Sequence, residues 1–218
     1  MASPFILASN SPQRRALLAE AGYEFEVIIP AVSEIASAHL SLRELTIANA
    51  TRKGLAVSHL HPNRIVLAAD TLVALEGEVI GKPRDLNHAR VILRRLSGRT
   101  HHVCTGVCIV DPQRKMSFAE ISQVRFRKLN ERDITNYFRV VNPIDKAGAY
   151  AAQAAGRRII ASVEDSFTNV IGLPMERTTE VLAQFALYPV NVSRPQLPAE
   201  SSQRGPARVS RLDTKTKR

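Results

Sequence analysis

The stretch Leu67–Pro83, LAADTLVALEGEVIGKP, limits the fold more tightly than any other part of the chain. The run RIVLAAD reads as a buried strand that ends in a carboxylate, Asp70. TLVALEGEVI then reads as a hairpin with Glu76-Gly77 in the turn, and its returning strand carries Gly81-Lys82 back toward the Asp70 end of the sheet. Strand ends in a mixed sheet commonly line the ligand crevice. A carboxylate there can hold a divalent metal or take a proton from water, while a nearby lysine offsets phosphate charge. An ion pair across a surface hairpin is the plain alternative.

Strands and helices alternate on either side of this stretch without a strict βαβ rhythm, which favours an α/β or α+β domain with a mixed sheet. PFILA and FEVIIP read as strands. SPQRRALLAEAGY between them reads as a helix with Ser11 at the N-cap, Pro12 in the first turn and Gly22 as the stop. SLRELTIANATRKGLAVSHL is helical, with Leu42, Leu45, Ala48 and Leu55 on one side. LNHARVILRRLSG is a helix stopped by Gly98. THHVCTGVCIVD and SFAEISQVRFRKL are two longer strands. NERDITNYFRVV is a helix capped by Asn130, RRIIASVE a strand, and PMERTTEVLAQFAL a closing helix led by Pro174. Cys104 and Cys108 share a strand face about 13 Å apart, so they neither bridge nor share a metal. His101 and His102 point to opposite faces of the same strand, where a lone histidine reads as structural.

No apolar stretch reaches the roughly 18 residues of a membrane span. The N-terminal residues lack the layout of a signal peptide. These readings lead to the expectation of a cytoplasmic protein with no membrane partner. The net charge is +10, and half of it falls between Arg194 and Arg218, where seven Lys or Arg face only Glu200 and Asp213. Residues 190–218 are rich in Pro, Ser and Gln and are expected to form a disordered basic tail. Such a tail can touch RNA or another polyanion weakly, though more often it only solubilises. The domain proper is then expected to span 1–189.

Three groups of polar residues break the apolar pattern. Ser9, Asn10 and Ser11 lie between a strand and a helix, with Arg14 in that helix's first turn. Free N–H groups, hydroxyls and an arginine at a helix N-terminus can complete an anion site, or they can be a plain cap with a solvated arginine. No Walker motif and no G-x-G-x-x-G occurs. In NPIDKAGAYAAQ, Lys146, Tyr150 and Gln153 stand among small residues that allow a ligand close to the backbone, and the Gln153 amide can read a base edge. SFTNVIGLP is a punctuated segment that fits a cleft wall. Lys53 breaks the apolar order of its own helix, a sign either of function or of a solvated face.

Together the stretches LASNSPQRRALL, AADTLVALEGEVIGKPRD, LRRLSGRTHHVCTGV, DKAGAYAAQ and NVIGLP resemble the Maf family of nucleoside triphosphate pyrophosphatases, in its order and approximate spacing, from about Phe5 to Leu187. The resemblance implies an α/β fold, a bent mixed sheet flanked by helices in two lobes around a deep cleft, as in Maf and ITPase-like proteins. It implies metal-dependent hydrolysis of a nucleoside triphosphate to a monophosphate and pyrophosphate, with Mg, Mn or Co as the divalent cation. By the same resemblance Asp70 is the general base, and Glu34, in PAVSE, joins Asp70 in holding metal. Ser9, Ser11, Arg14, Lys53, Lys82 and Lys146 face the phosphates or the substrate. Family members often form homodimers.

The resemblance also bears on specificity. Relatives that act on dTTP and UTP carry Arg after Ser-Pro, Thr after the catalytic Asp and Gln after Ala-Gly-Ala-Tyr, whereas those that act on 7-methyl-GTP carry Trp, Gln and Glu. This chain has Gln13, Thr71 and Gln153. Two of the three match the pyrimidine class, and Gln13 departs from both, since it lacks the charge and fork of arginine. A pyrophosphatase of broader range, or one for modified nucleotides, is an alternative within the family. Two further alternatives come from other classes. A nucleic-acid module driven by the tail would lack an aromatic platform, because the chain has no Trp. A non-catalytic regulator of cell division would not need Asp70 and Lys82, and both are kept.

Overall fold

A computed structural model describes residues 4–37 and 39–190. The sheet is mixed and seven-stranded. Its strands are β1 (Phe5–Ala8), β2 (Phe25–Val27), β3 (Val66–Leu75), β4 (Glu78–Ile80), β5 (Thr100–Val110), β6 (Lys115–Phe126) and β7 (Ile160–Glu164). They lie in the order β2-β1-β3-β5-β6-β7, with β4 also paired to β3. The helices are α1 (Pro12–Glu20), α2 (Leu42–Leu60), α3 (Leu86–Leu96), α4 (Glu131–Phe138), α5 (Phe167–Ile171) and α6 (Met175–Gln184). None of the described helices is long and apolar enough to cross a membrane. The segment read as a basic tail lies outside the described residues except for Val190, whose N–H donates to the Gly22 carbonyl at 2.8 Å.

Local chemistry sets several boundaries as expected. Ser11 caps α1 by accepting from the Arg14 N–H, with Pro12 in the first turn where its missing N–H costs nothing. Asn130 and Asp133 form a reciprocal capping box at the start of α4. The Glu76-Gly77 turn has positive φ at both residues, 54° and 85°, the geometry a two-residue hairpin needs.

Asp70 does not end a strand. Strand β3 continues through Leu75 and pairs with β5 along Val66–Ala74 without a break. The polar Asp70-Thr71 pair interrupts the apolar run, but the β5 ladder carries the strand across it. The other edge of β3 is shared. Parallel β1 pairs with residues 66–68 and antiparallel β4 with residues 73–75. Among the described residues no strand pairs with residues 69–72 on that edge, so Asp70 sits at a gap in the middle of the sheet.

Alternation gives β3 two unlike faces. On one face, Leu67, Ala69, Val107 and Ile109 pack with α1 and α6, while Val73, Leu75 and Val103 pack with α3 and α4. Thr71 and Thr105, paired across the two strands, separate these clusters, which are the cores of two lobes. Leu93 and Leu96 of α3 are fully buried, each contributing about 1.5–3 kcal/mol. The other face is covered by α2. Its inward stripe is Leu45, Thr46, Asn49, Ala50, Gly54 and Val57, and of the expected row Leu42, Leu45, Ala48 and Leu55 only Leu45 belongs to it. The stripe is small and polar because α2 lies directly on β5 at Gly106. A Cβ there would stand 2.5 Å from the Thr46 carbonyl oxygen and 2.6 Å from the Ile47 nitrogen. Gly106 is the partner of Asp70 across the β3–β5 ladder, so this close approach lowers α2 onto Asp70.

Candidate active site

The gap on β3 opens into a cavity of about 620 Å³. One side is built by the end of β1 and the start of α1, the other by the residues after β4 and by 145–153, with Gly172 at its back. The hairpin does return Lys82 to the same cleft as Asp70. The Gly148 N–H donates to the Gly81 carbonyl at 3.3 Å, which ties the Lys146 segment to the Lys82 segment. Gly148 has φ of 70°, and a Cβ would press on Val73 and the Tyr150 ring at 3.1 Å, so glycine is what lets this segment close on β3.

Lys53 is the centre of the charged group. Its Nζ donates to Glu34 Oε1 and to Asp70 Oδ1, each at 2.6 Å. The Lys53 side chain is only 13% exposed, which rules out the solvated-face alternative. Asp70 is 4% exposed and Glu34 49%, so the pair grades from the sheet interior to the cleft mouth. Burial pushes the Glu34 carboxyl up, but the hydrogen bond and charge of Lys53, the charge of Lys82 and a contact with Asp70 outweigh it and leave it below the usual carboxylate range. The second oxygen of Asp70 accepts from Asn49 Nδ2 at 3.2 Å.

The anion site expected at α1 is partly turned inward. Arg14 is buried, and three of its five N–H groups are committed within the protein. Nε donates to the Gly172 carbonyl at 2.8 Å, Nη1 to Ser9 Oγ at 3.1 Å and Nη2 to Thr71 Oγ1 at 2.9 Å. Arg14 thus joins the first loop, β3 and the 166–174 segment. Ser9 Oγ also accepts from the Ser11 N–H at 3.1 Å, which leaves its own proton to donate outward. Ser11 Oγ donates to Gln13 Oε1 at 3.1 Å, so Gln13 is folded back with its amide NH₂ still available. Lys146 Nζ donates to Asp145 Oδ1 at 2.6 Å on the opposite wall, and Gln153 lines that wall further along.

Thr71 is fixed by its neighbours. It accepts from Arg14, and it lies 2.9 Å from Thr105 Oγ1 and 3.4 Å from the Gly172 carbonyl. Thr105 can donate to the Asn169 carbonyl at 3.1 Å. In either arrangement of these hydroxyls the Thr71 proton is spent inside the protein. When Thr71 donates to Thr105 and Thr105 to Asn169, Thr71 keeps one lone pair free beside the Arg14 contact and can accept from the cleft.

The profile of the family described as Maf-like protein matches residues 4–185. The chain belongs to the Maf family. A dTTP/UTP pyrophosphatase of Akkermansia muciniphila is 47% identical over 182 residues, which cover 84% of this chain and 96% of that protein. One from Symbiobacterium thermophilum is 45% identical, covering 85% and 95%. One from Salmonella typhimurium is 41% identical, covering 82% and 91%. A solved structure, the Staphylococcus aureus Ham1 protein, superposes with a TM-score of 0.43 at 17% identity over 57% of this chain and 72% of that one.

All the residues that the motifs of this Maf protein singled out, Ser9, Ser11, Gln13, Arg14, Glu34, Lys53, Asp70, Thr71, Lys82, Lys146 and Gln153, line the one cavity. Sequence reasoning missed Asn49, Thr105 and Asn169. Asn49 carried a usable signal, since it lies four residues before Lys53 and so on the same helix face. Thr105 and Asn169 lie inside the quoted stretches THHVCTGV and NVIGLP, but nothing there singled them out, because their partners are far away in the chain.

Proposed function

We propose that this chain hydrolyses nucleoside triphosphates between the α and β phosphates, with dTTP and UTP preferred. The observation that carries this reading is the convergence of Glu34, Lys53 and Asp70 at the open edge of β3. Lys82 and Lys146 stand on the facing wall of a cavity large enough for a nucleotide. In this reading Asp70 takes the proton of a water whose oxygen bonds to the α-phosphorus. The bridging oxygen between the α and β phosphorus atoms leaves with pyrophosphate. Lys53 and Lys82 offset the phosphate charge, and the Ser9 hydroxyl donates to a phosphate oxygen.

A divalent cation fits the residues present. Carboxylate oxygens of Glu34 and Asp70 already meet on one cation, the Lys53 ammonium. No cluster of three or more His, Cys, Asp or Glu ligands occurs among the described residues. Mg²⁺ is commonly held by one or two carboxylates together with substrate phosphates and water, and Glu34 and Asp70 supply that set. Bound there, the cation would neutralise charge developing on the phosphates.

With its proton given to Thr105, Thr71 is an acceptor that suits the imide N–H that uracil and thymine share, and Gln153 offers both a donor and an acceptor. Gln13 brings no charge, so we expect broader acceptance, CTP included, than with arginine there. The test is a metal-supplemented comparison of kcat/KM for dTTP, UTP, CTP and 7-methyl-GTP, read as pyrophosphate release, in wild type and Gln13→Arg. We expect dTTP and UTP to exceed 7-methyl-GTP by about ten- to a hundredfold, the cost of an unpaired base edge. Gln13→Arg should narrow the range. A preference for 7-methyl-GTP would overturn the subclass, and no pyrophosphate from any nucleotide would overturn the reaction.

A further inference from the structure

Asn49 is buried, carries no charge and makes three demanding contacts with one amide. Its Oδ1 accepts from the Ile35 N–H at 2.7 Å. Its Nδ2 donates to the Ile35 carbonyl at 3.2 Å and to Asp70 Oδ2 at 3.2 Å. Its own backbone belongs to α2, which Gly106 seats on the sheet beneath Asp70. The pattern of one acceptor and two donors fixes the amide orientation, because a flipped amide would set an oxygen against the Ile35 carbonyl and the Asp70 carboxylate. No other side chain of this size supplies it. Aspartate has the shape but no donor when ionised, leucine has neither group, and glutamine is longer by a methylene.

We propose that Asn49 is the positioning residue that assembles the carboxylate pair. By gripping both backbone groups of Ile35 it holds the neighbouring Glu34 against α2. With its remaining N–H it fixes the Asp70 carboxylate, so that Oδ1 turns to Lys53. Lys53, one helical turn further on, then bonds Glu34 and Asp70 together. Without Asn49 the segment before α2, which forms no helix or strand from Ile28 to Ile35, keeps Glu34 in place through its half-exposed ion pair with Lys53 and its contact with Asp70. An exposed pair of that kind holds weakly. Asn49 itself reaches neither the cleft nor a substrate, and it does not line the cavity.

The inference rests on the pyrophosphatase reading for its kinetic arm, and a second arm stands apart from it. Asn49→Asp and Asn49→Ala are made in the full chain. Kinetics use UTP, and amide hydrogen exchange is followed at Ile35 by NMR in the nucleotide-free protein. Both variants should lower kcat by about ten- to a hundredfold, as loss of a supporting hydrogen bond does, with KM for UTP nearly unchanged. Exchange at Ile35 should accelerate in Asn49→Ala, which loses the acceptor, and stay slow in Asn49→Asp, which keeps it. A folded Asn49→Asp with wild-type kcat, or kcat and KM shifting together, would overturn the positioning role. Equal protection of Ile35 in all three proteins would overturn the anchoring of the Glu34 segment. If wild type releases no pyrophosphate from any nucleotide, the functional reading fails, while the exchange arm still decides the anchor.

Discussion

Replacing Gly106 by alanine should disable the site from a position that touches no ligand. The new Cβ would stand 2.5 Å from the Thr46 carbonyl oxygen and 2.6 Å from the Ile47 nitrogen, against an ordinary contact of 3.4 Å or more. Both neighbours are helix backbone and cannot rotate away. Helix α2 must therefore retreat by about 1 Å, a misplacement that can cost about a hundredfold in rate. That retreat carries Asn49 out of hydrogen-bonding range of Asp70, now 3.2 Å away, and stretches the 2.6 Å contact from Lys53. Overpacking of this kind also destabilises by about 1–3 kcal/mol. Gly54, on α2 itself, is the control. A Cβ there meets Ala68 and Cys108 at 3.5 Å, ordinary contact, so Gly54→Ala should keep kcat and gain up to about 1 kcal/mol from helix propensity. Urea unfolding and pyrophosphate release from UTP measure the two effects separately. A folded Gly106→Ala protein with wild-type kcat would refute the reasoning, and so would a Gly54→Ala protein as impaired as Gly106→Ala.

Asp70→Asn keeps the shape of the side chain but removes the proposed base and a hard oxygen ligand for the proposed cation, so turnover of UTP should fall by about a hundredfold or more while circular dichroism stays native; near-normal kinetics would dismiss Asp70 as the base. His101 titrates against the fold. Burial, reinforced by the charge of His102, pushes its pKa down from 6.5 to about 4, so the native state resists protonation. Stability from this group is complete above pH 6.5 and is lost as the pH falls toward 4, by roughly 3 kcal/mol in all. The stability gap between wild type and His101→Gln, read from urea midpoints, should narrow over that interval, and a constant gap would refute the assignment.

What could be read from the sequence was local. The Ser11 cap, Pro12 in the first turn, the Glu76-Gly77 turn and the long strands β5 and β6 follow from side chains acting on their own backbone. The face of α2 could not be read that way. Leu42, Leu45, Ala48 and Leu55 carry the apolar signal, yet of these only Leu45 is buried, in a stripe with Thr46, Asn49, Ala50, Gly54 and Val57. A glycine on another strand decides it, by letting the helix lie so close that only small or hydrogen-bonded side chains fit beneath. Thr105 and Asn169 were hidden for the same reason. They act through partners 34 and 64 residues away, so although their stretches stand out, neither residue does within its own. Candidate residues at the cleft were legible because charge and glycine stand out against an apolar background, while the residues that hold them in place look like ordinary interior.

The gap in β3 explains why the two residues Asp70 and Thr71 can serve one ligand although they point to opposite faces of the sheet. A strand paired on both edges would hide one of them behind its neighbour. Here β1 stops at residue 68 of the register and β4 begins at 73, so the edge between them is open and both faces are reached from the same side. On one face α2 supplies Lys53 and Asn49 to Asp70, the arrangement suited to phosphate and cation. On the other, Arg14, Thr105 and the Gly172 carbonyl fix Thr71 at the seam between the two lobes, the arrangement suited to reading a neutral donor. On the proposed reading the division separates catalysis from selection in space, with one peptide unit between them. Substitutions behind Thr71 should therefore change which nucleotide is chosen with little effect on the charged group, while substitutions of Lys53 or Asn49 in α2 should slow turnover of every nucleotide alike.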